Sequence, residues 1–376
     1  MKKIQMVDLK GQYEHIKDSI QNGFQEVLDN TAYINGPQVH AFQKSLEDYL
    51  GAKHVIPCAN GTDALQIAMM GLGLKAGDEI ITADFTFAAT VEVIALLGLT
   101  PVLVDVDADT FNISIDALKK AITPKTKAIV PVHLFGQTAN MEEIMAIAKE
   151  HNLFVIEDNA QAIGADYEFS NGQKQKLGTI GHIGATSFFP SKNLGCYGDG
   201  GAIITNDDAL AHDIRGIVNH GMYERYHHDV VGVNSRLDSL QAVVLNAKLP
   251  KLDQYNYARR NAAKKYNTAL AKHKNIVTPV IKASDASHVF HQYTLRIVDA
   301  DRNGLMQHLL NKGIPCAIYY PIPLHSQKAY ADTRYKEENF PVTNALVNEV
   351  LSLPMHTELD DEQIKFITDS ILEFLA

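Results

Sequence analysis

The sequence predicts an α/β protein: a mostly parallel sheet with helices on both faces, followed by a smaller α+β region. Three observations carry this. Seven short apolar runs recur in the first 206 residues, helical stretches separate several of them, and the pattern changes near residue 250. The runs are residues 55–58, 79–81, 101–104, 128–132, 154–156, 185–189 and 201–204, each bounded by Gly, Asp, Asn or Pro. They are continuous rather than alternating, as expected of strands buried on both faces. Strands alternating with helices build parallel sheets. Between the runs, residues 62–72 place Leu65, Met69 and Leu72 on one helical face, and residues 141–151 form a second helical stretch.

Past residue 250 the spacing predicts a long polar helix over 252–273 and a strand over 289–298. A helix over 302–312 then stops at Gly313, and a strand covers 316–320. A last helix starts near Asp361, with Asp360 as N-cap, Gln363 three residues on, and Ile364, Ile367, Ile371 and Phe374 on its apolar face. The expected division is therefore residues 1–250 and residues 251–376.

Composition excludes several classes. The 376 residues carry 34 Lys and Arg against 44 Asp and Glu, a net charge of −10, with no Lys/Arg run. A nucleic-acid binder usually shows a basic patch, so none is expected as a partner. The longest greasy stretch, 92–105, is broken by Pro101 and too short for a bilayer, which needs about 20 apolar residues. The start, Met1-Lys2-Lys3-Ile4, has no long apolar core, so no secretory leader is expected. Cys58, Cys196 and Cys316 are odd in number and far apart, which favours a reducing cytoplasm over a disulfide scaffold or zinc ribbon. His227-His228 lacks the spacing of a metal pair, and no metal is expected.

Ligands of open α/β sheets sit beyond the C-terminal ends of the strands, and three such ends carry suggestive residues. In Ala59-Asn60-Gly61-Thr62-Asp63-Ala64 a strand gives way to a helix, whose free N–H groups suit a phosphate. The same residues would also serve as a plain N-cap. In Val155-Ile156-Glu157-Asp158-Asn159-Ala160-Gln161 an acidic pair ends an apolar strand, where a carboxylate could meet a cationic atom, hold a metal or cap a helix. In Ser187-Phe188-Phe189-Pro190-Ser191-Lys192 a lysine stands between an aromatic strand and a glycine-rich turn. Desolvation there would lower its pKa and make it a nucleophile for carbonyls, unless it snorkels to solvent. An anion site, a strand-end carboxylate and a lysine 34 residues later together match the needs of pyridoxal phosphate.

With these motifs in this order, the chain resembles the DegT/DnrJ/EryC1/StrS sugar aminotransferases. It shares Thr86-Phe87-Ala88-Ala89-Thr90 and Pro321-Ile322-Pro323-Leu324-His325 with them as well. The resemblance implies fold type I of the pyridoxal 5'-phosphate enzymes, with residues 1–250 as the large cofactor domain and residues 251–376 as the small domain. It implies that Lys192 bonds the cofactor aldehyde and shuttles a proton, and that Asp158 pairs with the pyridinium nitrogen. Gln161 would lie near the phenolic oxygen, Phe87 would stack on the ring, and Gly61, Thr62 and Ser187 would hold the phosphate. Asn234 would reach the phosphate from the neighbouring subunit of a homodimer with shared sites. Arg236 would clamp a carboxylate, and Tyr319 and Tyr320 would face the substrate.

Arg225-Tyr226-His227-His228 and Gly232-Val233-Asn234-Ser235-Arg236-Leu237-Asp238 resemble the branch that aminates C3 of UDP-2-acetamido-2-deoxy-3-keto-glucuronic acid, with L-glutamate as donor, for surface polysaccharide precursors. Many relatives carry His-Tyr where this chain has Tyr319-Tyr320. The competing readings are a 3- or 4-aminotransferase of a dTDP- or UDP-linked deoxy keto sugar, a nicotinamide oxidoreductase and a non-catalytic cofactor sensor. The oxidoreductase is disfavoured because no Gly-x-Gly-x-x-Gly follows the first strand.

Overall fold

The computed structural model describes residues 2–376; Met1, part of the stretch read above for a leader, lies outside the described residues. Strands β1 (His54–Cys58), β2 (Glu79–Ala83), β3 (Thr100–Val104), β4 (Thr126–Val130) and β5 (Phe154–Asp158) follow the apolar runs. A small hairpin, β6 (Asp166–Glu168) and β7 (Lys174–Lys176), interrupts the series before β8 (Ile183–Ser187) and β9 (Gly201–Thr205). The seven long strands form one sheet in the order β1-β9-β8-β5-β4-β2-β3. Only β9 runs against its neighbours β1 and β8. The β8–β5, β5–β4, β4–β2 and β2–β3 pairs are all parallel.

The continuous apolar runs follow from this layout. Successive side chains of a strand point to opposite faces, and both faces here are covered. Ile80, Ala128, Val130 and Ile156 face one core, with Leu65, Ile67 and Met69 of the helix Gly61–Gly71. Ile81, Ile129 and Val155 face the other, with Met141, Ile144 and Ile147 of the helix Met141–His151. A third core joins Val55, Ala202 and Ile204 to Phe42 and Leu46 of the helix Pro37–Leu50.

After a hairpin, β10 (Met222–Glu224) and β11 (His227–His228), a smaller antiparallel sheet is built from β12 (Ile276–Val277), β13 (Tyr293–Ile297) and β14 (Val350–Leu353). Its core joins Leu295, Leu305 and Leu353 to Ile364, Ile367 and Ile371 of the helix Asp361–Leu375. That helix starts as predicted: the Asp360 side chain accepts from the Gln363 N–H, and the Gln363 side chain accepts from the Asp360 N–H. Ile4 also lies in this core. Among the described residues no helix is long and apolar enough to cross a membrane.

Three expectations are corrected. The predicted 289–298 strand is regular only over Tyr293–Ile297, because Phe290 takes φ +45°. The Phe290 ring stacks on His288 at 3.7 Å, and the carbonyls of Phe290 and His291 accept from Arg259, so the chain bends before it can pair. Residues 316–320 make a single bridge, Ala317 to Ser352, instead of a strand. Pro321 and Pro323 follow, lack N–H donors and could not extend a ladder. The long helix ends at Leu270, short of His273.

Candidate active site

The C-terminal ends of β5 and β8 and the turn after β1 meet at one cavity of about 440 Å³. Its wall includes Gly61, Thr62, Phe87, Asp158, Gln161, Ser187, Lys192, Tyr319 and Tyr320. Nine of the eleven predicted site residues are thus brought together. The other two, Asn234 and Arg236, are not in this wall; Asn234 is exposed and Arg236 half-buried.

The anion end is built by close approach. Asn60 caps the helix Gly61–Gly71, its side chain accepting from the Asp63 N–H at 2.8 Å. This leaves the other first-turn N–H groups for a ligand. A Cβ on Gly61 would lie 2.6 Å from the Ser187 Cβ, so only glycine lets the helix start sit against the end of β8. Gly201 is equally constrained, since a Cβ there would meet the Asn60 carbonyl carbon at 2.4 Å.

At the end of β5, Glu157 and Asp158 point to opposite faces and meet opposite fates. Glu157 is fully buried and saturated: it accepts from the Gly178, Ile180 and Gly181 N–H groups at 2.6–2.8 Å and from His133 Nε2 at 3.0 Å. His133 Nδ1 accepts from the Ala139 N–H, which puts its proton on Nε2. Asp158 is also buried but accepts only from the Thr90 hydroxyl at 2.7 Å and the Ala160 N–H at 3.2 Å. Burial raises its pKa, against the pull of those bonds and of the Lys192 charge. A buried carboxylate left this needy fits a cationic nitrogen in the cavity. Asp158 is not a helix cap, because a turn follows it.

Lys192 sits on a loop that closes on itself. The Phe188 N–H donates to Gly200 and the Cys196 N–H to Phe188. Below the loop, buried Lys248 donates to the Gly195 carbonyl at 2.6 Å and lies 4.6 Å over the Tyr197 ring. Burial pushes the Lys192 amine down to about 8, with Asp158 pulling the other way. Lysine at that value is partly neutral at physiological pH and ready to attack a carbonyl; it does not snorkel away.

Phe87 is 57% exposed at the cavity mouth, with its ring centroid 6.2 Å from that of Tyr320. It is therefore not a core aromatic but an available stacking face. Gln161 is pinned: its Oε1 accepts from the Phe135 N–H at 2.7 Å and its Nε2 donates to the Tyr320 hydroxyl at 3.2 Å. The strap carrying Tyr319 and Tyr320 is tied down at His325, whose N–H and Nδ1 both contact the fully buried Asp84 at 2.7 Å.

Sequence reasoning assigned no role to Thr90, Thr86 or His291, and offered the Asn60 segment as a plain helix cap, which Asn60 is. Thr90 was visible in the Thr86–Thr90 motif, on the first turn of the helix Ala89–Leu96. The Thr86 hydroxyl and His291 Nδ1 are buried without protein partners and belong to the cavity wall. Orphaned polar atoms, a needy carboxylate, a nucleophilic amine and a helix N-terminus in one cavity fit pyridoxal phosphate.

The comparisons with known proteins agree. The model of the DegT/DnrJ/EryC1/StrS aminotransferase family matches residues 14–372. The chain is 48% identical to the UDP-2-acetamido-2-deoxy-3-oxo-D-glucuronate aminotransferase of Pseudomonas aeruginosa, covering 97% of this chain and 98% of that one. It is 46% identical to the UDP-N-acetyl-3-dehydro-alpha-D-glucosamine 3-aminotransferase of Acidithiobacillus ferrooxidans, over 98% and 97% of the two chains. Among solved structures, NtdA of Bacillus subtilis with bound cofactor PMP superposes with a TM-score of 0.91 at 30% identity, over 99% of this chain and 85% of that one. With a cavity built for pyridoxal phosphate and a family match across nearly its whole length, this chain belongs to the DegT/DnrJ/EryC1/StrS aminotransferases.

Proposed function

We propose that the protein moves an amino group from L-glutamate to C3 of UDP-2-acetamido-2-deoxy-3-keto-glucuronic acid. It does so in the cytoplasm, as a homodimer with shared sites, for surface polysaccharide synthesis. The observation that carries the chemistry is the meeting of Lys192 and Asp158 with the Gly61–Gly71 helix start in one cavity. Amination at C3 of a UDP-linked acetamido sugar rests on both relatives given above, and the uronic acid on the first of them.

Pyridoxal phosphate, when bound, supplies an aldehyde to carry nitrogen and a ring to spread carbanion charge. The chain does the rest. Gly61, Thr62 and Ser187 hold the phosphate, and Asp158 keeps the ring nitrogen protonated. Phe87 covers the ring, and Gln161 stands by the phenolic oxygen. Lys192 anchors the cofactor, then moves a proton at the carbon that gains or loses the amine. Residues 1–250 supply this machinery, and residues 251–376 bring up Tyr319 and Tyr320 to face the sugar. Asn234 and Arg236 reach the site of a second copy, which accounts for their place outside their own chain's cavity wall. There Asn234 would meet the phosphate and Arg236 a carboxylate.

The test loads the enzyme with the amino form of the cofactor and adds candidate acceptors. UDP-2-acetamido-3-keto-glucuronate is expected to restore the absorbance of lysine-linked cofactor, and a 4-keto deoxy nucleotide sugar is not. Restoration by the 4-keto sugar alone would overturn the choice of substrate.

A further inference from the structure

We propose that Thr90 is the positioning residue of Asp158, its hydroxyl fixing how the carboxylate is turned and which lone pairs it offers to a cationic ring nitrogen. The inference rests on the reading of Asp158 given above and adds a residue to it. Thr90 is buried, and its hydroxyl donates to Asp158 Oδ2 at 2.7 Å. A hydroxyl has one hydrogen to give, so this bond commits it.

The two oxygens of Asp158 are engaged one by one. Oδ2 accepts from Thr90, and Oδ1 accepts from the Ala160 N–H at 3.2 Å. One donor comes from another element and the other from the turn after β5, so the carboxylate cannot rotate about its last bond without losing one of them. An ionised carboxylate has about four lone-pair sites, and those left over serve the cavity that Asp158 lines. The backbone of Asp158 is already fixed: its N–H donates to the Pro131 carbonyl at 2.9 Å, and its carbonyl accepts from the His133 N–H at 3.1 Å. What remains to be set is the aim of the side chain, and Thr90 is the side chain that sets it.

Thr90 is itself held firmly. It lies in the first turn of the helix Ala89–Leu96, whose Val93 and Ile94 pack in the core that holds Ile80, Val130 and Ile156. On another side Val91 packs with Leu103, Leu324 and Phe340. Leu324 belongs to the strap that carries Tyr319 and Tyr320, so the helix is seated between sheet and strap. Phe87, three residues before Thr90, supplies the stacking face. One short segment therefore delivers both the cover of the ring and the lock on its carboxylate.

The charges show what the lock does. Burial raises the Asp158 pKa, and the Thr90 bond opposes it, followed by the Ala160 N–H, the Lys192 cation and His133. Burial keeps the Tyr320 hydroxyl protonated, and Glu157 on the opposite face is saturated by its own donors. A hydrogen bond to the charged form favours that form. Without Thr90, burial is less opposed, and the carboxyl takes a proton at higher pH.

Thr90→Val keeps the shape of the side chain and removes the hydroxyl, whereas Thr90→Ser keeps the hydroxyl. In the cofactor-free full-length protein, the infrared carboxyl band that disappears in Asp158→Asn is followed across pH. Its midpoint is expected to rise by about one pH unit in Thr90→Val and to stay near wild type in Thr90→Ser. An unchanged midpoint in folded Thr90→Val, or in Thr90→Ala run beside it, overturns the inference and leaves the reading of Asp158 intact. An equal rise in Thr90→Ser does the same, because the hydroxyl would then not be the cause. Wild-type enzyme is also loaded with cofactor isotopically labelled at the ring nitrogen, which magnetic resonance is expected to show protonated. An unprotonated nitrogen there overturns the reading of Asp158, and this inference with it.

Discussion

The floor of the cavity and its rim are built in different ways. The floor is made where regular elements end: Asp158 closes β5, Ser187 closes β8, and Gly61 opens a helix. The rim is made of straps and bends: Tyr319 and Tyr320 before Pro321, and His291 after the bend at Phe290. The floor is fixed by a sheet whose two faces are both filled, so its geometry cannot shift without opening a core. The rim hangs on a few polar ties, such as Asp84 with His325 and Arg259 with the carbonyls of 290 and 291. Chemistry shared by a family suits the first kind of construction. Choice among sugars suits the second, because loops change without disturbing the scaffold.

Perturbing the two parts should give effects of different size and kind. Lys192→Ala should lower turnover by about 10²- to 10⁴-fold with either sugar, and abolish the absorbance of lysine-linked cofactor. Near wild-type turnover would break the assignment of the floor. Asp158→Asn should cost about 100-fold, again regardless of the sugar, as a charge-assisted contact is lost.

It should have a second signature. The Asp158 pKa is raised in the folded protein. Its charge therefore destabilises the cofactor-free fold above that raised value, and costs nothing below the ordinary value of 3.8. Cofactor-free Asp158→Asn should melt higher than wild type at pH 7, by about 2 °C or more, and the gain should vanish near pH 3. Scanning calorimetry at the two pH values checks the sign. Arg236→Lys, at the residue proposed to reach the site of a second copy, should be milder and selective. It should lower kcat/KM for an acceptor bearing a carboxylate by about tenfold, and leave an acceptor without one unchanged. Equal losses with both acceptors would place Arg236 with the floor instead.

The same division explains what could be read from the chain alone. Seven strands, the mostly parallel sense of their sheet and the floor residues follow from apolar run length, bounding turns and motif order, all local features; that β9 runs antiparallel does not. Thr90 stood inside a quoted motif, yet its bond to Asp158 spans two elements and carries no spacing signal. His291 was hidden more deeply. The run 289–298 looks like a plain strand, and its bend arises from a ring stack with His288 and a long-range clamp by Arg259. The 316–320 strand failed for a reason that was legible, since two prolines follow directly. The resemblance implies that Asn234 serves a neighbouring subunit, so its place outside its own chain's cavity wall was expected, whereas that of Arg236 depends on chain geometry that no periodicity reports.

Strand β5 also restricts how this chain can change over time. Glu157 and Asp158 are neighbours with opposite surroundings, one saturated by three N–H groups and a histidine, the other open to the cavity. Substitutions elsewhere in the strand keep that arrangement, whereas gain or loss of a single residue ahead of Glu157 would exchange the two carboxylates between faces. A gain would set Ile156 against the saturating amides, and a loss would bring Asn159, which has no acid to offer, to the cavity. Descendants of this sequence can therefore tolerate many replacements in β5 but not a change in its length, and insertions should collect instead in the hairpin Asp166–Lys176 and the turn at Tyr226.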